Sequence, residues 1–169
     1  MQHTQVISTA ALTCKVAELA DQITKDYCSH PVTVIGVLKQ SFIFMADLVR
    51  VLEIPMTCQF VKVFTENNLL TQEITFVSQF DITDRNLLLV YGVMGTGVPS
   101  AYLVSHLLDR RPASLKICTL IDKPMMRRSD IRPDYIGFSV ESDYLVGYGL
   151  DYMDRYAHLP YLARLQMHS

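Results

Sequence analysis

The sequence predicts an α/β fold built on a central, mainly parallel sheet flanked by helices. Three observations carry that expectation. Strand-like apolar runs alternate with helix-like segments along the 169 residues. The run Val32–Leu38, VTVIGVL, is β-branched and nearly all apolar, as a strand covered on both faces should be. The stretch Asn86–Ser100, NLLLVYGVMGTGVPS, reads as a buried strand, a turn with three glycines, and a helix running to about Leu108. Such a corner presents backbone N–H groups at a helix N-terminus, where a phosphate can sit. Its loop carries no acid, no base and no metal ligand.

The remaining elements follow in order. Residues 9 to 28 form an amphipathic helix, with Val16, Leu19, Ala20 and Ile23 at three- and four-residue spacing, and His30-Pro31 stops it. After Lys39-Gln40-Ser41, a helix from about Phe42 to Leu52 buries Phe44, Leu48 and Leu52, and Ile54-Pro55 ends it. Met56 to Phe64 alternates and is a second strand. The polar segment Thr65 to Thr71 leads to a strand at Glu73 to Gln79, and Asp81 to Asn86 is a turn. Leu115 to Ile121 is a strong strand, followed by a charged loop from Asp122 to Pro133. Tyr135 to Phe138, Tyr144 to Tyr148 and Leu159 to Leu165 add short strands. Tyr148, Tyr152 and Tyr156 recur at helical spacing, which places them in packing contacts.

Half of the residues are hydrophobic and 19% are charged, enough to bury a core within one domain spanning 1–169. A net charge of -2 argues against a broad nucleic-acid surface, and Arg110-Arg111 and Arg127-Arg128 read as solvated loop pairs. No apolar run reaches the roughly 18 residues that span a bilayer. No leader pattern is visible at the start, which points to a cytoplasmic protein without membrane attachment. Cys14, Cys28, Cys58 and Cys118 form no CxxC pair, so reduced and mostly buried thiols are expected, with Cys58 and Cys118 inside strands. His106 and His158 show no partner in the sequence.

A parallel sheet binds ligands at the carboxyl ends of its strands. Four loops fall there: Lys39-Gln40-Ser41, Tyr91 to Ser100, Asp122-Lys123-Pro124, and the turn after Tyr148.

Those loops carry a resemblance. Pro112–Pro124 (PASLKICTLIDKP), Pro133–Phe138 (PDYIGF), Val146–Tyr152 (VGYGLDY), Gly36–Lys39 (GVLK) and Phe44–Leu48 (FMADL) resemble bacterial hypoxanthine-guanine phosphoribosyltransferases over nearly the whole chain. The resemblance implies a type I phosphoribosyltransferase fold with a small hood from the N- and C-terminal segments. It implies transfer of ribose 5-phosphate from magnesium-bound phosphoribosyl pyrophosphate to a purine. By the same resemblance Lys123 donates to the exocyclic oxygen of the base, Tyr144 stacks on it, and the backbone of Leu145 meets its edge. Lys39 and Asp151 lie on the pyrophosphate side, with Asp151 toward magnesium.

The glycine loop departs from the pattern. The acidic pair that secures ribose hydroxyls and magnesium falls at Tyr91 and Gly92, the general-base aspartate at Gly95, and the phosphate-binding threonine at Pro99. Gly95, Thr96, Gly97 and Ser100 remain to offer N–H groups and hydroxyls to a phosphate. The loop glycines after Lys39 are Gln40 and Ser41, the lid falls at Phe64 to Asn67, and a late arginine falls at Ala157 with Arg155 nearby.

The resemblance with these losses predicts a catalytically impaired homologue that retains purine or purine-nucleotide binding and uses magnesium only if active. The alternatives are an active, divergent enzyme making IMP or GMP, with Glu66, Asp81 or Asp84 as replacement acids, and a subunit without ligand. Expected partners are a second copy in a dimer or tetramer, through the helix at 42–52, or an active paralogue, and no nucleic acid.

Overall fold

The structure, a computed structural model, describes residues 2–65, 72–76, 80–141 and 144–166. Helix α1 (Thr9–Tyr27) begins where the Ser8 hydroxyl accepts the Ala11 N–H, and ends at Cys28 in the left-handed region. Leu12, Val16, Leu19, Ala20, Ile23 and Tyr27 form its buried stripe, the spacing read in the sequence. Helix α2 (Phe42–Val51) buries Phe44, Met45 and Leu48, and α3 (Val98–Leu108) buries Leu103, Val104 and Leu107.

Among the described residues nine strands make two sheets: β1 (His3–Ile7), β2 (Val32–Leu38), β3 (Met56–Thr65), β4 (Gln72–Phe76), β5 (Asn86–Met94), β6 (Ser114–Asp122), β7 (Tyr135–Ser139), β8 (Leu145–Val146) and β9 (Leu162–Leu165). The larger sheet runs β4-β3-β2-β5-β6-β7, parallel throughout except for β4. The smaller sheet, β1-β9-β8, is antiparallel and joins the two ends of the chain.

β5 lies in the middle because both of its faces are apolar. Leu88 and Val90 pack with α1 and α2, while Leu87, Leu89 and Tyr91 pack with α3. The register sets Tyr91 beside Thr119 and Met94 beside Asp122. The carboxyl ends of β2, β5 and β6, with the loops that follow them, therefore meet at one edge of the sheet.

Several expectations change. β1 was not anticipated, because its polar sequence HTQVI takes its order from pairing with β9 at the other end of the chain. The strand expected at Glu73 to Gln79 is Gln72–Phe76, and 77–79 lie outside the described residues. β8 stops at Val146, since Gly147, Tyr148 and Gly149 all adopt positive φ and turn the chain. Positive φ at Tyr148, Met153, Asp154 and Tyr156 likewise rules out a helix there, although Tyr148 is buried and Tyr152 and Tyr156 pack on the smaller sheet. Only Cys118 is buried. Cys58 lies in the part of β3 that β4 does not reach, and it is exposed together with Cys14 and Cys28. No helix among the described residues is long and apolar enough to cross a membrane.

Leu88 and Leu89 are fully buried on opposite faces of β5. Leu88→Ala and Leu89→Ala are each expected to cost about 2–5 kcal/mol, read as a lower midpoint in urea unfolding.

Candidate functional site

Ser41 positions the first loop. It is fully buried, its hydroxyl donates to the Val37 carbonyl at 2.8 Å, and its own carbonyl accepts the Met45 N–H at 2.7 Å. The Leu38–Lys39 peptide is cis. With Ser41 tied down, the backbone of Gln40 presses on the tip of β5. A Cβ on Gly92 would lie 2.7 Å from the Gln40 carbonyl carbon and closer still to its oxygen. The same oxygen would lie 3.2 Å from a Cβ on Gly149, which has φ +93. Gln40 thus lies between two glycines: a Cβ has no room at Gly92, and at Gly149 it would be tight and strained by the positive φ.

Tyr91 turns the other way. It is buried against Leu103, Val104 and Leu107 of α3. Its hydroxyl lies near Ser100 but forms no hydrogen bond of good geometry, and burial pushes the phenol up to about 12. Ser100, in the first turn of α3, is buried. Gly95 is different again: a Cβ there would meet nothing within 4 Å. Gly97, with φ +76, caps α3, and the Thr96 hydroxyl accepts the Val98 N–H at 3.4 Å. Backbone bonds from Lys123 N–H to the Met94 carbonyl and from Arg128 N–H to the Thr96 carbonyl stitch the loop after β6 to this turn. Arg127 tucks its side chain against Gly97 and pairs with Asp122, at 5% and 7% exposure. The solvated loop expected at Arg127 is therefore replaced by a buried ion pair. His106 also has a neighbour, Arg110, at 3.1 Å.

Beside the tip of β5 lies a pocket of about 120 Å³ lined by Gln40, Val93, Lys123, Tyr144, Leu145, Leu150 and Asp151. The Lys123 ammonium sits 5.9 Å from the centre of the Tyr144 ring, and Tyr152 meets that ring edge-on at 5.2 Å. Asp151 lies 4.0 Å from the Lys39 ammonium, which also pairs with Asp154. These carboxylates hold the Lys39 ammonium above its ordinary value, and Lys39 in turn lowers Asp154. Lys123, Tyr144, Leu145 and Asp151 are therefore neighbours, with Lys39 across from Asp151. Gln40, Val93 and Leu150 complete the wall, and the sequence signals only that they sit at the carboxyl ends of strands or on a turn.

A phosphoribosyl transferase domain matches residues 3–153. Hypoxanthine phosphoribosyltransferase of Salmonella typhimurium is 34% identical over 98% of this chain and 97% of its own length. The hypoxanthine-guanine enzyme of Bacillus subtilis is 35% identical over 95% and 92%. The crystal structure of a hypoxanthine-guanine phosphoribosyltransferase from Bacillus anthracis superposes with a TM-score of 0.91 at 34% identity, covering 96% of this chain and 98% of the other.

This chain belongs to the hypoxanthine-guanine phosphoribosyltransferase family. Its sheet and hood are the type I phosphoribosyltransferase fold. The positions at which the family resemblance places acids are a core tyrosine, a glycine covered by backbone, and an open glycine. Asp81 and Asp84 cannot replace them, because both precede β5 at the opposite end of the strand, where Asp84 lines a separate cavity with Pro31 and Asn86. Glu66 and Asn67, in the expected lid, lie outside the described residues. Among the described residues no three His, Cys, Asp or Glu side chains converge on a metal site, and Asp151 is the only carboxylate on the pocket wall. That donor set does not fit the acid-rich magnesium site implied by the resemblance.

Gly92→Ala is expected to destabilise by about 1–3 kcal/mol, because the Gln40 backbone has to move. Gly95→Ala, at an open position without positive φ, is expected to stabilise by about 0.4–1 kcal/mol. Urea unfolding of the pair reads both signs. Tyr91→Phe removes a buried hydroxyl that has no partner, so stability is expected to hold or to rise by about 1 kcal/mol in the same measurement.

Proposed function

We propose that this chain is a purine-salvage family homologue that recognises an oxopurine and does not transfer phosphoribosyl groups. The observation behind this reading is the tip of β5: residue 91 is committed to the core, and the side-chain space of residue 92 is filled by Gln40. General-base assistance contributes about 10²–10⁴-fold. Together with the lost positioning of ribose and metal, the deficit is on the order of 5–10 kcal/mol.

The purine side supports retained recognition. The Lys123 ammonium can donate to the exocyclic oxygen of hypoxanthine or guanine, and the Tyr144 ring, partly exposed beside it, offers a face for stacking. Val93, Leu145 and Leu150 supply apolar walls. Exposed Phe42 and Val51 on α2 offer an apolar surface to a second copy or to an active paralogue in the cytoplasm.

The competing reading is an active enzyme making IMP or GMP from phosphoribosyl pyrophosphate. An assay with hypoxanthine or guanine, phosphoribosyl pyrophosphate and magnesium separates the two. No nucleotide above background is expected, and turnover at an ordinary enzyme rate would establish the active reading. Hypoxanthine or guanine is expected to raise the melting temperature, and Lys123→Ala is expected to abolish the shift.

A further inference from the structure

We infer that the pocket selects a free oxopurine base over its nucleoside and nucleotide, and that the backbone of Gln40 makes the selection. This rests on the purine reading of the pocket and adds the class of ligand that it accepts.

Size comes first. Pockets for drug-sized ligands span about 300–1,000 Å³, and this one holds about 120 Å³. That is room for one bicyclic ring system, so the ribose and phosphate of a nucleotide have to lie outside the pocket. Route comes second. Val93 lines the pocket, and Gly95 opens the turn that leads to the N-terminus of α3, two residues further along the same strand end. A nucleotide with its base in the pocket and its phosphate on that turn has to cross the tip of β5. The Gln40 carbonyl already lies there, packed on Gly92.

The obstruction is held at several points. The Gln40 carbonyl fits between Gly92 and Gly149, Ser41 is buried and bonded to the Val37 carbonyl, and Lys39 is paired with Asp154 on the far turn. Charge adds to the same preference. Lys39 is shared between Asp151 and Asp154, and Arg127 is paired with Asp122, so two nearby cations are already occupied by carboxylates. A phosphate entering here would meet Asp151 on the wall. A neutral base presents only its edges, which suit Lys123 and backbone groups.

Calorimetric titration of the whole chain with hypoxanthine, guanine, inosine and IMP tests the assignment. The expected result is binding of a base at least tenfold tighter than inosine or IMP. In Gln40→Gly/Ser41→Gly, which frees the loop, that ratio is expected to fall by tenfold or more. Gln40→Ala, which keeps the carbonyl, is expected to preserve it. IMP binding as tightly as the base in the unaltered chain overturns the inference and leaves the purine reading standing. Absence of binding by all four compounds overturns both. If the unaltered chain discriminates and the folded double-glycine variant discriminates equally, Gln40 is not the selecting group. Should that variant fail to fold, the ratio in the unaltered chain and in Gln40→Ala decides.

Discussion

The carbonyl of Gln40 rests where a side chain on residue 92 would begin, and much of the site's geometry is set by that contact. A backbone carbonyl cannot share space with a carboxylate. An acid at residue 92 and the present path of the 39–41 loop therefore exclude each other. The loop keeps its path because Ser41 is fully buried at the start of α2, where its hydroxyl and carbonyl are both used. Displacing it would leave those buried groups without partners, which costs more than a lost surface contact. Gly149 completes the seat from the opposite turn, so three chain segments agree on one position for a single peptide group.

The rest of the sheet edge follows a similar logic of occupied space. Tyr91 spends its ring on the core beneath α3, where burial pushes its phenol up to about 12. Behind the glycine turn, Arg127 and Asp122 form a buried ion pair, a motif that fixes geometry more than it adds stability. The guanidinium retains two nitrogens without partners, and the Ser129 hydroxyl beside it is also unpaired. The turn thus keeps a helix N-terminus, while residues 91, 92 and 95 hold no acid. What remains chemically expressive is the small pocket where Lys123, Tyr144 and Asp151 meet.

The hood links this pocket to both chain ends. β1 pairs with β9, and β9 pairs with β8, which carries Leu145 into the pocket wall. The turn after β8 carries Tyr148, whose hydroxyl donates to Asp47 on α2 at 2.5 Å. The wall of the pocket is therefore held from α2, from the hood and from β5 at once.

By itself the sequence determined the elements and their family. Near-continuous apolar runs dictate strands covered on both faces, the stripe on α1 dictates its buried side, and the loops at the carboxyl ends of a parallel sheet mark where a site forms. The family resemblance singled out Lys123, Tyr144, Leu145 and Asp151 in the sequence, and the structure gathers them around one pocket. Only the tertiary structure decided that Gln40 covers Gly92, that Tyr91 faces the core, that Ser100 and Arg127 are buried, and that HTQVI is a strand. Periodicity is a property of a few neighbouring residues. These outcomes depend on groups brought together from distant parts of the chain, 52 residues apart for Gln40 and Gly92, and no local pattern encodes which backbone will claim a given space.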